Sequence, residues 1–223
     1  MIALLVVVTF LLAVVIDHLL NRQPIPVTEE APAPRQAPGR ARLIPAVVSG
    51  FEVPDNLRYH PGHTWAVAES ADLVRVGVDD LAAKLTGNIT SMEVPERGQW
   101  IRQGQRIIAM HHDGREIDLV SPIEGTVVDI NRKALDDPKL AQRDPYGEGW
   151  LIAVNSPDAA TNFRNLLGGV TARRWMDEAA ARLRAFAVPA GALAQDGGVA
   201  VGNMIDLVPE GEWDKLRKEL FLL

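Results

Sequence analysis

The hydrophobic pattern changes character three times along the chain. Residues 1–16, MIALLVVVTFLLAVVI, carry no charge, and the apolar run reaches Leu20 if Asp17 and His18 lie at a headgroup. At about 1.5 Å per residue, a helix over that run spans roughly the 30 Å hydrocarbon core of a bilayer. The segment lacks the basic start and small-residue cleavage site of a secretory signal, which predicts an uncleaved transmembrane helix over residues 1–22, with 1–20 in contact with lipid. Basic residues follow only on its C-terminal side, at Arg22, Arg35, Arg40 and Arg42. The positive-inside bias then puts the N-terminus outside an inner (cytoplasmic) membrane, crossed once, and the remainder in the cytoplasm. Residues 23–43 hold five prolines and almost no large apolar side chains, so a linker over 23–56 is predicted as an extended spacer.

From about Leu57 the pattern becomes one of short apolar runs punctuated by glycine and proline. WAVAES, LVRVGV, WIRQGQRIIAM, IDLVSP, GTVVDI and GWLIAV are each Val/Ile-rich or alternating, the signature of a β-sandwich or barrel over 57–168. One helix interrupts them, with Asp79 as its cap, Leu81 and Leu85 on one face, and Gly87 at its end. Residues 169–223 return to helical spacing. Trp175, Ala179, Leu183 and Phe186 fall on one stripe, a short hairpin is expected around Asp196-Gly197-Gly198, and a last amphipathic helix carries Trp213, Leu216, Leu220 and Phe221. These stripes require cover, from the barrel or from a partner subunit; Trp175, Leu183, Phe186, Trp213, Leu220 and Phe221 are the interaction candidates.

Composition narrows the chemistry. The formal net charge is -6 and there is no dense basic run, which argues against nucleic acid as a partner. Cysteine is absent, which removes disulfides, thiolate metal sites and cysteine nucleophiles. No G-x-S-x-G, P-loop, G-x-G-x-x-G or H-E-x-x-H pattern occurs, so no enzymatic chemistry is expected. The pairs Asp136-Asp137 and Asp177-Glu178 read as helix-start carboxylates, and Trp65, Trp100 and Trp150 as barrel core.

A weak internal repeat places Pro95, Gly98 and Ile101 against Pro122, Gly125 and Val128, consistent with two similar β units folded on each other. Y-H-P-G-H-T-W at 59–65, S-P-I-E-G-T-V-V-D-I-N at 121–131, D-D-P at 136–138 and D-P-Y-G-E-G-W-L-I at 144–152 give the chain a resemblance to the H protein of the glycine cleavage system, over residues 57–168. The resemblance implies a mainly β fold, a flattened lipoyl-type barrel sandwich with flanking helices, here preceded by a single transmembrane helix. In that family a lysine at a hairpin tip carries lipoate, whose dithiolane arm shuttles an aminomethyl group between enzymes.

The family's lysine stands seven residues before the S-P dipeptide, which in this chain is Gly114. The lysines are Lys84, Lys133, Lys139, Lys215 and Lys218, none near the hairpin, and the neighbouring Arg115 offers no neutral amine for acylation. The Asp113-Gly114 pair predicts a two-residue hairpin turn. The chain is therefore expected to be a degenerate member with no covalent cofactor. His111, His112 and Asp113 are weak metal candidates beside the H-x-x-H pair His60 and His63; adjacent strand residues face opposite ways, so no metal is expected. Two functions remain open at this point. One is a non-catalytic accessory or scaffold subunit that stabilises a membrane complex of the respiratory or photosynthetic electron-transfer type, with integral membrane subunits as partners. The other is a carrier or sensor that binds a lipoate-like group or a metal non-covalently.

Overall fold

Alternation in the Val/Ile-rich half resolves into antiparallel strands whose buried residues point one way. The computed structural model describes residues 46–186 and 203–221. The expected helix over 1–22 and the hairpin around Asp196-Gly197-Gly198 lie outside the described residues. Among the described residues no helix is long and apolar enough to cross a membrane.

A short hairpin, β1 (Ala46–Val48) and β2 (Phe51–Val53), comes first. It occupies part of the stretch that sequence assigned to the linker; Phe51 and Val53 are buried, which gives that segment a reason to fold. Then follow β3 (Arg58–His60), β4 (Thr64–Ala68), β5 (Leu73–Val78), α1 (Asp80–Thr86), β6 (Ser91–Glu93), β7 (Trp100–Ile101), β8 (Arg106–His112), β9 (Arg115–Val120) and β10 (Gly125–Ile130). The short helices α2 (Arg132–Asp136) and α3 (Lys139–Arg143) precede β11 (Ile152–Asn155) and α4 (Ala159–Arg164). The chain continues with α5 (Gly169–Phe186), a 3-10 turn at Met204–Leu207, and α6 (Glu210–Phe221).

Six strands form one sheet in the order β3-β4-β5-β11-β10-β7, and three form a second in the order β6-β8-β9. In β5, Val74, Val76 and Val78 are fully buried while Arg75 between them is not, the alternation of a strand with one face on the core. Opposite Gly77 in the register stands Trp65, whose ring covers the glycine and whose Nε1 donates to Val78 O at 2.8 Å and Pro145 O at 3.0 Å. The D-P-Y-G loop is thereby tied to the sheet. Its Tyr146 hydroxyl adds two bonds, donating to Glu52 O at 2.6 Å and accepting from Asp80 N at 3.0 Å. The two repeat units are strand neighbours, with Gly125 paired to Ile101 and Thr126 to Trp100.

Three sequence expectations change. WIRQGQRIIAM is two strands, split by a turn in which Gln105 Oε1 accepts from Arg102 N at 3.0 Å. Trp100 is not core: it lies on the last strand of its sheet with 50 % of its surface exposed, while Ile101 points inward. Asp136 ends α2 and Asp177 lies within α5, where it accepts from Ser49 Oγ at 2.5 Å, so neither begins a helix; Asp137 does stand just before the N-cap of α3, its carbonyl accepting from Leu140 N at 2.9 Å. The expected helix at Asp79 forms as α1, with Asp79 Oδ1 accepting from Ala82 N at 2.9 Å and Gly87 at positive φ.

The C-terminal helices fold back on the barrel. Leu183, Leu216, Leu220 and Phe221 are buried, Trp213 nearly so, and Trp175 and Phe186 are half-buried against the same core. Trp175 and Phe221 close on His63 from two sides, at ring distances of 4.7 and 5.5 Å. Cover for both apolar stripes thus comes from within the chain. Leu220→Ala is expected to lower stability by about 2–5 kcal/mol, with barrel and helix unfolding together in denaturant as followed by tryptophan fluorescence. A first, separate transition of the tail would contradict this packing.

Candidate functional site

The feature that sequence singles out is the β8–β9 hairpin, and its apex is built by local rules. Asp113 (φ 42°) and Gly114 (φ 80°) both adopt positive φ, the geometry that a two-residue hairpin needs to match strand twist. A side chain at position 114 would meet nothing within 4 Å, so the apex opens to solvent. None of the five lysines belongs to this hairpin. Lys84 is held in α1 by Asp80 at 2.7 Å, Lys133 and Lys139 belong to α2 and α3, and Lys215 and Lys218 to α6.

The residues flanking the turn are both engaged by the C-terminal segment. Arg115 Nη1 donates to the carbonyls of Ile205 at 2.5 Å and Val208 at 3.3 Å, and the guanidinium lies 5.6 Å from the Trp213 ring centre. His112, its cross-strand partner, is buried; Nδ1 donates to Asn88 O at 2.7 Å and Nε2 stands 3.4 Å from Asp206 Oδ1 and 3.7 Å from Asp113 Oδ2. Asn203 completes the clamp, with its Oδ1 accepting from Asn88 N at 3.2 Å and its side-chain amide donating to Asp206. On β9, Asp118 lies 3.8 Å from both Arg217 of α6 and Arg106 of β8. None of these contacts is signalled by spacing in the sequence.

The histidines separate. His111 faces away from His112 and approaches Glu93 at 3.6 Å. His63 is fully buried, donating from Nδ1 to Asp79 Oδ2 at 2.7 Å, while its Nε2 has no hydrogen-bond partner among the described residues. Asp79 therefore caps α1 with one oxygen and fixes His63 with the other. His60 accepts from Gly62 N at 3.0 Å through Nδ1. Burial, then the nearby His63, push the His60 pKa down, which favours the neutral ring that this bond requires. Burial raises the Asp80 pKa, opposed by Lys84 beside it. Burial likewise raises the phenols of Tyr59 and Tyr146, which serve as hydrogen-bonding groups rather than acids. Among the described residues no group of three or more His, Cys, Asp or Glu is placed to hold a metal ion. His111, His112 and Asp113 are not brought together around one point.

Arg115→Ala removes the donor to two strap carbonyls. The expected cost is about 1–3 kcal/mol, with faster amide hydrogen exchange across Met204–Val208. Unchanged exchange there would mean that the clamp does not hold the segment.

The family model described as Glycine cleavage H-protein matches residues 57–179. A glycine cleavage system H protein of Bifidobacterium longum is 36% identical over 108 residues, covering 48% of this chain and 78% of the relative. A probable glycine cleavage system H protein of Aeropyrum pernix is 34% identical over 128 residues, covering 56% and 88%. A crystal structure of a glycine cleavage system H protein from Mycobacterium marinum aligns with a TM-score of 0.48 at 27% identity, covering 56% of this chain and 98% of that one. These relatives correct one expectation: they are named for glycine cleavage, and nothing in them supports a scaffold subunit of a respiratory or photosynthetic membrane complex. The family model spans more than half of the sequence and accounts for the barrel, the hairpin and the D-P-Y-G loop: the chain belongs to the glycine cleavage H-protein family.

Proposed function

We propose that this chain is an H-protein-family module that recognises without carrying. It offers the family's barrel to proteins that bind glycine cleavage H proteins, and the covalent carrier step is missing from it. The observation that carries this reading is the apex: Asp113-Gly114 forms the turn, and the chain has no lysine between Lys84 and Lys133. A lipoyl group is attached through an amide to a neutral amine; the glycine side chain has none, and the Arg115 guanidinium is committed to the Ile205 and Val208 carbonyls. The rest of the hairpin is intact. Its strands hold one register from His112–Arg115 down to Ile108–Leu119, shift by one residue before Arg106–Val120, and are held on the core by the buried face of Ile108, Met110, Ile117 and Leu119.

Such a module acts by shape. A protein that grips the H-protein barrel would find the surface and not the swinging arm, which makes this chain suited to occupying a docking site rather than to passing a group along. The reading concerns recognition only, and it assigns no bond-making step to any residue of the chain.

Incubation with a lipoate-attaching enzyme, lipoate and ATP tests it by intact mass. The full chain is expected to stay unmodified while an H protein of the Bifidobacterium longum type gains one lipoyl group. Gly114→Lys is expected to gain one, because its side chain would project into open solvent. A lipoyl adduct on the unaltered chain would overturn the proposal.

A further inference from the structure

We propose that the outer edge of β7, with Trp100 at its centre and Arg97 and Arg102 on either side, docks an acidic, extended segment of a partner protein. The edge belongs to the six-stranded sheet and the apex to the other, so this inference does not depend on how the apex is read.

The first observation is an aromatic side chain without cover. The large hydrophobic residues exposed among the described ones are Val47, Trp100 and Val170, and Trp100 is the sole aromatic of the three. An indole left half in water forgoes the burial that makes tryptophan worth placing in a strand. The second is a free sheet edge. β7 is the terminal strand of its sheet, paired to β10 on one side and, among the described residues, to no strand on the other. With only Trp100 and Ile101 in the strand, this edge offers a short backbone anchor for an added extended segment, not a full strand template.

The third is charge. Arg97 and Arg102 lie in the turns before and after β7, both are exposed, and neither has a carboxylate within ion-pairing distance among the described residues. Glu96 sits in the same turn as Arg97 without pairing to it. By contrast Arg75 pairs with Glu69 at 2.5 Å, Arg106 approaches Asp118 at 3.8 Å, and Arg143 pairs with Asp137 at 2.8 Å. Two unpaired guanidinium groups beside an exposed indole, on a chain of net charge -6, form a local basic site that selects an acidic occupant.

The edge is also held in shape before anything binds. Gln99 Oε1 accepts from Glu96 N at 3.2 Å in the first turn, and Gln105 Oε1 from Arg102 N at 3.0 Å in the second. Gln103 anchors the second turn by donating to Pro122 O at 2.9 Å and Asn162 O at 3.0 Å. A preformed edge reduces the ordering cost of association. Tryptophan and arginine are the residues most often found at the energetic centre of protein interfaces. A peptide backbone satisfies the N–H and C=O groups of an open edge, whereas bilayer hydrocarbon would leave them unmet, and this favours a protein segment over a lipid surface.

The test is photocrosslinking in cells that make the protein, using the full chain with benzoylphenylalanine in place of Glu96, followed by sequencing of the joined peptides. The expected crosslinks fall in an acidic, extended segment of another protein. Their yield should drop at least about tenfold with Trp100→Ala and with the double reversal Arg97→Glu, Arg102→Glu, and return with Trp100→Tyr. The denaturation midpoints of these surface variants should match that of the parent, which separates lost docking from lost folding. Crosslinks to lipid, to a second copy of this chain or to a segment without acidic residues would overturn the proposal, as would no crosslink or a yield indifferent to the substitutions.

Discussion

Two side chains, His112 and Arg115, sit opposite each other across the hairpin register just below the turn, and both are bound to the segment that follows residue 203. This coupling ties the barrel's distinguishing hairpin to the C-terminal extension. Because Arg115 serves the last carbonyls of the 3-10 turn and stacks near Trp213, α6 starts at a fixed place; because α6 starts there, Leu216, Leu220 and Phe221 reach the core. Phe221 then closes on His63, whose Nδ1 is already held by the Asp79 that caps α1. One chain of contacts runs from the apex to the β3–β4 turn at one edge of the large sheet.

Function follows from what this arrangement keeps and what it omits. In the barrel, Trp65 packs on Gly77 and ties the D-P-Y-G loop to the sheet. The apex keeps the turn and lacks the amine. On the proposed reading the barrel serves recognition, since shape and charge complementarity need no nucleophile. On the other sheet, Trp100 is half exposed, and Arg97 and Arg102 beside it pair with no carboxylate among the described residues.

Much of this was legible in the sequence, for identifiable reasons. The Asp113-Gly114 turn and the Asp79–Gly87 helix depend on local backbone chemistry, which a few residues specify, and the S-P-x-x-G and D-P-Y-G-E-G-W patterns carried the fold. Trp100 was misplaced because alternation tells which residues share a face, not whether the strand is central or last in its sheet. The stripe of Trp213, Leu216, Leu220 and Phe221 announced that a face needed cover without saying from where, and the expectation of a membrane-complex subunit leaned on that uncovered tail. Cover comes from the same chain. The clamp on Arg115 was beyond reach, since it joins residues about ninety positions apart through backbone carbonyls, which leave no trace in side-chain pattern.

The central claim is that the hairpin apex bears no covalently held group in the living cell. Peptide mapping by mass spectrometry of protein purified from its own cells, with coverage of Arg106–Val120, addresses it directly. The account predicts that every peptide across Asp113-Gly114 has its unmodified mass; a lipoyl or other acyl adduct on any residue of that hairpin would contradict it.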